Sequence, residues 1–179
     1  MAGVGKSAMA RRIAHLTKRV AIDIDTAVVE AAGRPIPEIF AEDGEPRFRE
    51  MESEQLARAL ASPRPVVIAT GGGIVESPAN REQLARHAHV VLLTASDDVL
   101  IERLRNSSNR RPLLDGDLEA NLRALRERRD QLYLDVADLV VQVGVLDLAG
   151  TAAVVLAAIT ERWPDAVDTA PDAATPEEL

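Results

Sequence analysis

The sequence has 179 residues, enough for one domain, and 46% of them are apolar while only 2% are aromatic, so the core must be aliphatic. The net charge of −8 falls to −3 when the five acidic residues of 165–179 are left out, which leaves no basic surface for nucleic acid. Few aromatic rings are present to stack on single-stranded nucleic acid, and no apolar run is long enough to cross a membrane. No cysteine and no signal peptide are visible, which fits a cytoplasmic protein.

The chain begins with a glycine-rich stretch, Gly3-Val4-Gly5-Lys6-Ser7, and a helical pattern runs directly from Lys6 to Leu16. The stretch matches most of the phosphate-binding loop G-x-x-x-x-G-K-[ST]. In that loop backbone N–H groups hold phosphates, the lysine reaches the β- and γ-phosphates, and the serine binds Mg²⁺. The first glycine of the motif would fall one position before Met1. Taken alone, a G-x-G-K-S fragment is equally compatible with chance, but the pattern that follows favours a phosphate site.

Short apolar runs downstream predict buried strands at residues 20–22, 65–69, 90–93 and 139–143. Helical patterns lie between and after them, at residues 26–32, 36–41, 45–61, 80–87, 96–104, 117–135 and 149–163. This alternation predicts an α/β fold, a parallel sheet with helices on both faces, whose ligands bind beyond the carboxyl ends of the strands. A polar loop at about residues 105–117 is expected to be a mobile lid, and residues 164–179 an acidic disordered tail.

Two aspartates and three glycines follow the first two predicted strands. Asp23 and Asp25 end the first strand, and Gly71, Gly72 and Gly73 follow the second. We expect the two carboxylates to point to different sides of the strand end. One can hold Mg²⁺ while the other takes the proton of an acceptor hydroxyl, and a helix N-cap at Asp25 is the alternative. Three consecutive glycines indicate that the backbone approaches a ligand closely.

Several arginines are candidates for binding anions, each with a plainer alternative. Arg49 and Glu52 lie three residues apart, which predicts either a surface ion pair or an arginine held to grip a substrate carboxylate. Arg111 lies in the polar loop, where it can close over a transferring phosphate or remain solvated. Arg128 and Arg129 are also compatible with an ordinary exposed helix surface.

Taken in order, these motifs resemble the shikimate kinase family over about residues 1–163. The similarity rests on G-x-G-K-S, Asp23-Ile24-Asp25, residues 33–40, Phe48-Arg49-x-x-Glu52, the triple glycine, residues 111–114, and Arg129 with Leu132-Tyr133. It implies a P-loop kinase fold in three layers, like the nucleoside monophosphate kinases, with strand order 2-3-1-4-5. It also implies Mg²⁺-dependent transfer of the ATP γ-phosphate to the 3-hydroxyl of shikimate, on the route to chorismate. We expect a cytoplasmic monomer whose partners are ATP and shikimate, with no nucleic acid and no membrane.

The resemblance further implies a role for each matching residue at the ATP end. The residues that would hold the ATP phosphates are Gly3, Val4, Gly5, Lys6, Ser7 and Ala8, joined by Arg111 from the lid. Among them, Lys6 would stabilise the transferring group. Ser7 would ligate Mg²⁺ directly, and Asp23 would do so through a water molecule.

At the acceptor end, the resemblance implies that Asp25 holds the ring hydroxyls of shikimate and acts as the base. Arg49 and Arg129 would clamp the substrate carboxylate. The triple glycine would line the ring, with Gly72 in contact with it. A single anionic substrate explains two arginines far apart in sequence better than two unrelated surface charges do.

The sequence departs from the family mainly at its start, where the first strand and the first glycine of the phosphate loop are missing. Without that strand, residues 66–69 and 90–93 are expected to lack a partner between them. We therefore expect the natural protein to begin about ten residues before Met1, and a chain starting at Met1 to bind ATP weakly and have little activity. Residues 144–150 also lack the arginine that many members place near adenine. A gluconate-type kinase and a catalytically impaired shikimate-binding homologue are the alternative interpretations.

Overall fold

The structure is a computed structural model that describes residues 3–106, 112–114, 116–144 and 147–167. Its strands are β1 (Val20–Asp23), β2 (Val66–Ala69), β3 (Val91–Thr94) and β4 (Leu139–Gln142). Its α-helices are α1 (Lys6–Leu16), α2 (Ile24–Ala32), α3 (Ile36–Glu42), α4 (Gly44–Leu60), α5 (Pro78–His87), α6 (Asp97–Arg105), α7 (Leu118–Val136) and α8 (Leu148–Arg162). Every predicted strand and helix is present to within about two residues, so the predicted α/β alternation is confirmed.

Polar side chains at the helix starts explain several boundaries. The carboxylate of Asp23 accepts a hydrogen bond from the Thr26 N–H at 3.2 Å and so caps α2. Asp117 caps α7 in the same way, whereas Ser96 precedes α6 without a capping hydrogen bond from its side chain. Because Asp23 ends β1 and is the N-cap of α2, Asp25 lies in the first turn of the helix. The alternative that made Asp25 the N-cap is therefore wrong, and Asp23 has that role.

The four strands form two parallel pairs. β1 pairs with β2 in a register that sets Val20 opposite Val66 and Asp23 opposite Ala69. β3 pairs with β4 in the same manner. Among the described residues, no hydrogen-bonded ladder joins β2 to β3. This missing ladder between β2 and β3 was predicted, and it lies where the resemblance places the first strand of the family.

A cavity of about 600 Å³ lies between the two strand pairs. Both β2 and β3 line it, together with apolar side chains of α1 and α8 such as Ile13 and Val155. Val67 and Leu92 in the facing strands remain half-buried, although central strands of parallel sheets are normally covered on all sides. The cavity therefore accounts for the incomplete burial of both strands.

In the part of the chain that the structure describes, buried side chains form two core clusters. The larger one surrounds β3 and β4 and includes Leu100, which is fully buried. The smaller one joins α2, α3 and α4 through Ile24, Ile39 and Phe48. This second cluster matters for function because α2 and α4 carry Asp25, Arg49 and Glu52. Aliphatic packing thus fixes the positions of those side chains relative to one another.

Two predicted loop regions contain ordered turns. A short 3₁₀ helix, Pro112–Leu114, lies within the predicted lid, and its Leu114 is buried in the larger core cluster. Arg111 lies outside the described residues, as do 107–110 and 115. The predicted disorder from residue 164 is wrong for its first residues, because Pro164–Ala166 forms another 3₁₀ helix, while residues 168–179 lie outside the described part. No helix in the described ranges is long and apolar enough to span a membrane.

Candidate active site

A cavity of about 810 Å³ opens at the carboxyl ends of β1 and β2. The predicted site residues that line it are Gly3, Gly5, Lys6, Ser7, Ala8, Asp23, Asp25, Arg49, Gly71, Gly72, Gly73 and Arg129. The register of β1 on β2 explains part of this convergence, because Asp23 lies opposite Ala69 and the triple glycine follows directly. The structure thus brings together nearly all the predicted residues that it describes, as expected for ligand sites in parallel α/β sheets.

The phosphate-loop stretch forms one wall of the cavity at the N-terminus of α1. Gly3 and Gly5 have φ angles of +75° and +94°, a conformation that favours glycine. Val4 differs from its neighbours, because its side chain is buried in the core rather than lining the cavity. Its carbonyl oxygen accepts a hydrogen bond from Arg103 at 3.4 Å. The helix N-terminus with Lys6 presents the backbone N–H groups and positive charge that an anion requires.

Both aspartates line the same cavity. The expectation that they point to different sides is wrong: residues two apart in a strand face the same side, and Asp25 in any case already lies in α2. Asp25 instead lies beside Gly71, since a Cβ atom built on that glycine would be 2.8 Å from the Asp25 Oδ1 atom. Asp23 and Asp25 therefore line one space, and Asp23 also caps α2.

The triple glycine has a steric role that the sequence interpretation did not include. A Cβ atom on Gly71 would lie 2.2 Å from Glu52 Oε1, and one on Gly73 would lie 2.2 Å from Arg49 Cζ. The carbonyl oxygen of Gly72 accepts a hydrogen bond from the Tyr133 hydroxyl at 2.6 Å. Gly71 and Gly73 thus make room for charged side chains of the protein itself.

In the Arg49–Glu52 pair the carboxylate is buried and the guanidinium is half-buried, so the plain surface ion-pair alternative is wrong. Arg49 Nη1 donates to Glu52 Oε2 at 2.7 Å, and Glu52 is 0% exposed. The pKa of the Glu52 carboxyl lies above its ordinary value, mainly because burial disfavours the charged form. Arg49 lowers this pKa, whereas the charge of Asp25 raises it further. Arg49 also donates to Glu45 from Nε and Nη2 at 3.1 and 2.9 Å, a contact that the sequence interpretation missed. The carboxylates of Glu52 and Glu45 together orient the Arg49 guanidinium towards the cavity.

Arg129 is likewise a buried residue rather than a surface one, with 6% exposure. Its Nη2 donates to Glu76 Oε2 at 2.8 Å. The same oxygen lies 3.8 Å from Arg49 Nη2, and the other oxygen pairs with Arg128. Burial alone would raise the pKa of the Glu76 carboxyl, but the hydrogen bond and charge of Arg129, with the charges of Arg128 and Arg49, lower it below its ordinary value. Sequence interpretation missed Glu76, whose only signal was a carboxylate three residues after the triple glycine.

Further cations line the cavity between its two ends. Arg11, Arg103 and Arg126 all contribute to the lining, and none of them was predicted. Arg126 is held in place by Asp130 at 2.9 Å and by Asp97. Together with Lys6 they give this part of the cavity the positive potential that a polyphosphate needs.

A family model described as shikimate kinase matches residues 2–160. The shikimate kinase of Desulforudis audaxviator (strain MP104C) is 40% identical over 160 residues, which cover 89% of this chain and 83% of that protein. The shikimate kinase of Stenotrophomonas maltophilia (strain R551-3) is 38% identical over 161 residues, covering 90% of this chain and 89% of that protein.

Solved structures agree with these matches. The structure described as shikimate kinase from Acinetobacter baumannii in complex with shikimate has a TM-score of 0.85 and 32% identity, covering 90% of this chain and 89% of that chain. Shikimate kinase from Bacteroides thetaiotaomicron has a TM-score of 0.79 and 28% identity, covering 88% and 93%.

Proposed function

Because this chain belongs to the shikimate kinase family, we propose that it transfers the γ-phosphate of ATP to the 3-hydroxyl of shikimate. One observation carries the proposal. A single cavity joins a helix N-terminus bearing Lys6 to a carboxylate, Asp25, and to two arginines from distant helices, Arg49 and Arg129. A polyphosphate fits the first end, and a small hydroxylated carboxylate fits the second.

At the ATP end, backbone N–H groups from Gly3 to Ala8 hold the phosphates, and the Lys6 ammonium stabilises the charge on the transferring group. Ser7 and Asp23 supply oxygen donors in the same cavity. Within the described ranges no three carboxylates or imidazoles form a metal cluster of their own. That donor set fits Mg²⁺, which proteins usually hold with one or two side chains plus phosphate oxygens and water. When bound there, Mg²⁺ neutralises charge on the phosphates.

At the acceptor end, Asp25 accepts the proton of the 3-hydroxyl as the oxygen attacks the γ-phosphorus. A new bond joins that oxygen to phosphorus, the bond from phosphorus to the β-phosphate oxygen breaks, and ADP leaves with the electron pair. Arg49 and Arg129 bind the substrate carboxylate and so fix the ring for in-line attack. The buried Glu52 holds Arg49 in this role through its 2.7 Å hydrogen bond.

We assign a lid function to the segment that precedes α7, with Arg111 reaching the phosphates when both substrates are bound. The support is its location in the sequence between α6 and α7, both of which contribute side chains to the cavity. Closure of a kinase lid excludes water, which would otherwise accept the phosphate. We further propose that the enzyme acts as a cytoplasmic monomer without nucleic-acid or membrane partners, in line with its acidic charge.

A coupled ADP-release assay with shikimate tests the proposal. We expect shikimate-dependent turnover, a fall of about 10²–10⁴-fold in kcat for Asp25→Asn, and a comparable loss for Lys6→Met. Matched controls are Asp98→Asn, on the exposed face of α6, and Lys18→Met, the other lysine of the sequence. Both controls should retain wild-type kinetics. Turnover of gluconate but not shikimate, or full activity of Asp25→Asn, would overturn the assignment.

A further inference from the structure

Glu76 contacts both of the carboxylate-binding arginines but does not itself line the cavity. Its Oε2 atom lies 2.8 Å from Arg129 Nη2 and 3.8 Å from Arg49 Nη2. The two arginines come from α7 and α4, which are far apart in sequence. Glu76 is therefore the link between the two halves of the carboxylate clamp.

The position of Glu76 is itself well fixed. It ends the short 3₁₀ helix Ile74–Glu76, and its backbone N–H donates to the Gly73 carbonyl at 2.9 Å. The two residues before it, Ile74 and Val75, are buried in the larger core cluster. A carboxylate on such a support can hold two flexible guanidinium groups at a set separation.

The contacts of Arg129 show which part of its guanidinium is left for a ligand. Its Nη2 is engaged by Glu76, while its buried Nε has no hydrogen-bond partner in the described part of the chain. Arg129 also lines the cavity, so the guanidinium that Glu76 holds is within reach of a ligand there. The exposed Arg128 pairs with the second oxygen of Glu76. Because this pair compensates the negative charge of Glu76, the carboxylate repels an incoming anion less.

We propose that Glu76 is a positioning residue that aligns Arg129 and Arg49 for the substrate carboxylate and so sets the affinity for the acceptor. This inference rests on the proposed function for the identity of the acceptor. It does not require Glu76 to touch substrate. Because the carboxylate stays bound in both the ground state and the transition state, Glu76 acts on the KM for shikimate more than on kcat.

The kinetic test compares Glu76→Gln and Glu76→Asp with Glu82→Gln, which removes the charge of an exposed ion pair on the neighbouring helix α5. We expect Glu76→Gln to raise the KM for shikimate about tenfold or more, with kcat changed less than about threefold and the KM for ATP unchanged. Glu76→Asp keeps the charge and should recover part of the affinity. An unchanged KM for shikimate in Glu76→Gln, or equal changes in both KM values, would overturn the inference.

A second measurement needs no substrate. Nuclear magnetic resonance of the arginine Nε–H groups reports how freely each guanidinium rotates. We expect restricted Arg129 and Arg49 signals in the wild type and in Glu82→Gln, and faster rotation and exchange in Glu76→Gln. If the proposed function is wrong, the wild type will not turn over shikimate, but the spectral difference between the wild type and Glu76→Gln will persist. Equal Arg129 order in the wild type and Glu76→Gln would overturn the inference itself.

Discussion

Replacement of Gly73 by alanine isolates the contribution of the Arg49 position to substrate binding. Gly73 has φ −84° and ψ −6°, a conformation that alanine adopts without strain, so the effect of the methyl group is purely steric. That methyl would lie 2.2 Å from Arg49 Cζ and Nη1 and 2.4 Å from Nη2. The guanidinium would have to withdraw by about 1.2 Å to reach the shortest ordinary contact of 3.4 Å.

The contacts of Arg49 set the size of the effect. Its guanidinium makes hydrogen bonds of 2.7, 2.9 and 3.1 Å to Glu52 and Glu45, and a shift of more than 1 Å breaks at least one of them. A hydrogen bond to a charged group contributes about 1.5–3 kcal/mol, which corresponds to about 10–150-fold in affinity. We therefore expect Gly73→Ala to raise the KM for shikimate within that range and leave the KM for ATP unchanged.

Two other glycines make the comparison specific. Gly71→Ala places its methyl 2.2 Å from Glu52 Oε1 and 2.8 Å from Asp25 Oδ1, so it should lower kcat through the base as well as raise the KM for shikimate. Gly33→Ala faces open space at a φ of +67° and should reduce stability by about 1 kcal/mol without affecting either KM. The assay is coupled ADP release with shikimate and ATP varied separately, supported by thermal unfolding. Wild-type kinetics for Gly73→Ala, or a parallel rise in both KM values, would refute the steric argument.

Two further predictions concern stability. An N-terminal extension of about ten residues containing a β-branched strand segment should raise the free energy of unfolding and the ATP affinity, because it can pair with β2 and β3 and fill the 600 Å³ cavity. A Gly/Ser extension of equal length is the control in urea unfolding and ATP titration, and equal effects of the two would contradict the prediction. Burial raises the pKa of Tyr133 from 10.0 to about 12. The contribution of its protonated hydroxyl to the free energy of unfolding is therefore complete below pH 10 and is lost as pH rises towards 12. Urea unfolding of the wild type and Tyr133→Phe from pH 8 to 12 should show their difference shrinking across that window, and a constant difference would argue against it.

Much of the fold was predictable from the sequence because its signals are local. Buried strands of a parallel sheet appear as short apolar runs, and helices as apolar positions with a period near four, so the order of elements required no tertiary information. The phosphate-loop residues Lys6 and Ser7 were equally visible, since a fixed local spacing serves their chemistry. The alternative that placed the helix cap at Asp25 is wrong, because which of the two aspartates caps the helix depends on where the helix begins.

The roles that depend on distant partners required the tertiary structure. Nothing local to Arg129 distinguishes a surface arginine from a buried one, and its partner Glu76 lies 53 residues away in the chain. The burial of Glu52, and with it the raised pKa of its carboxyl, follows from the packing of α2 and α4 against the triple glycine. The amino-acid sequence was enough to identify the kinds of groups that the site contains and the order of the elements that carry them. The charges that face one another, and the glycines that make room for them, could be identified from the folded chain alone, because burial and pairing depend on contacts between segments that local patterns do not encode.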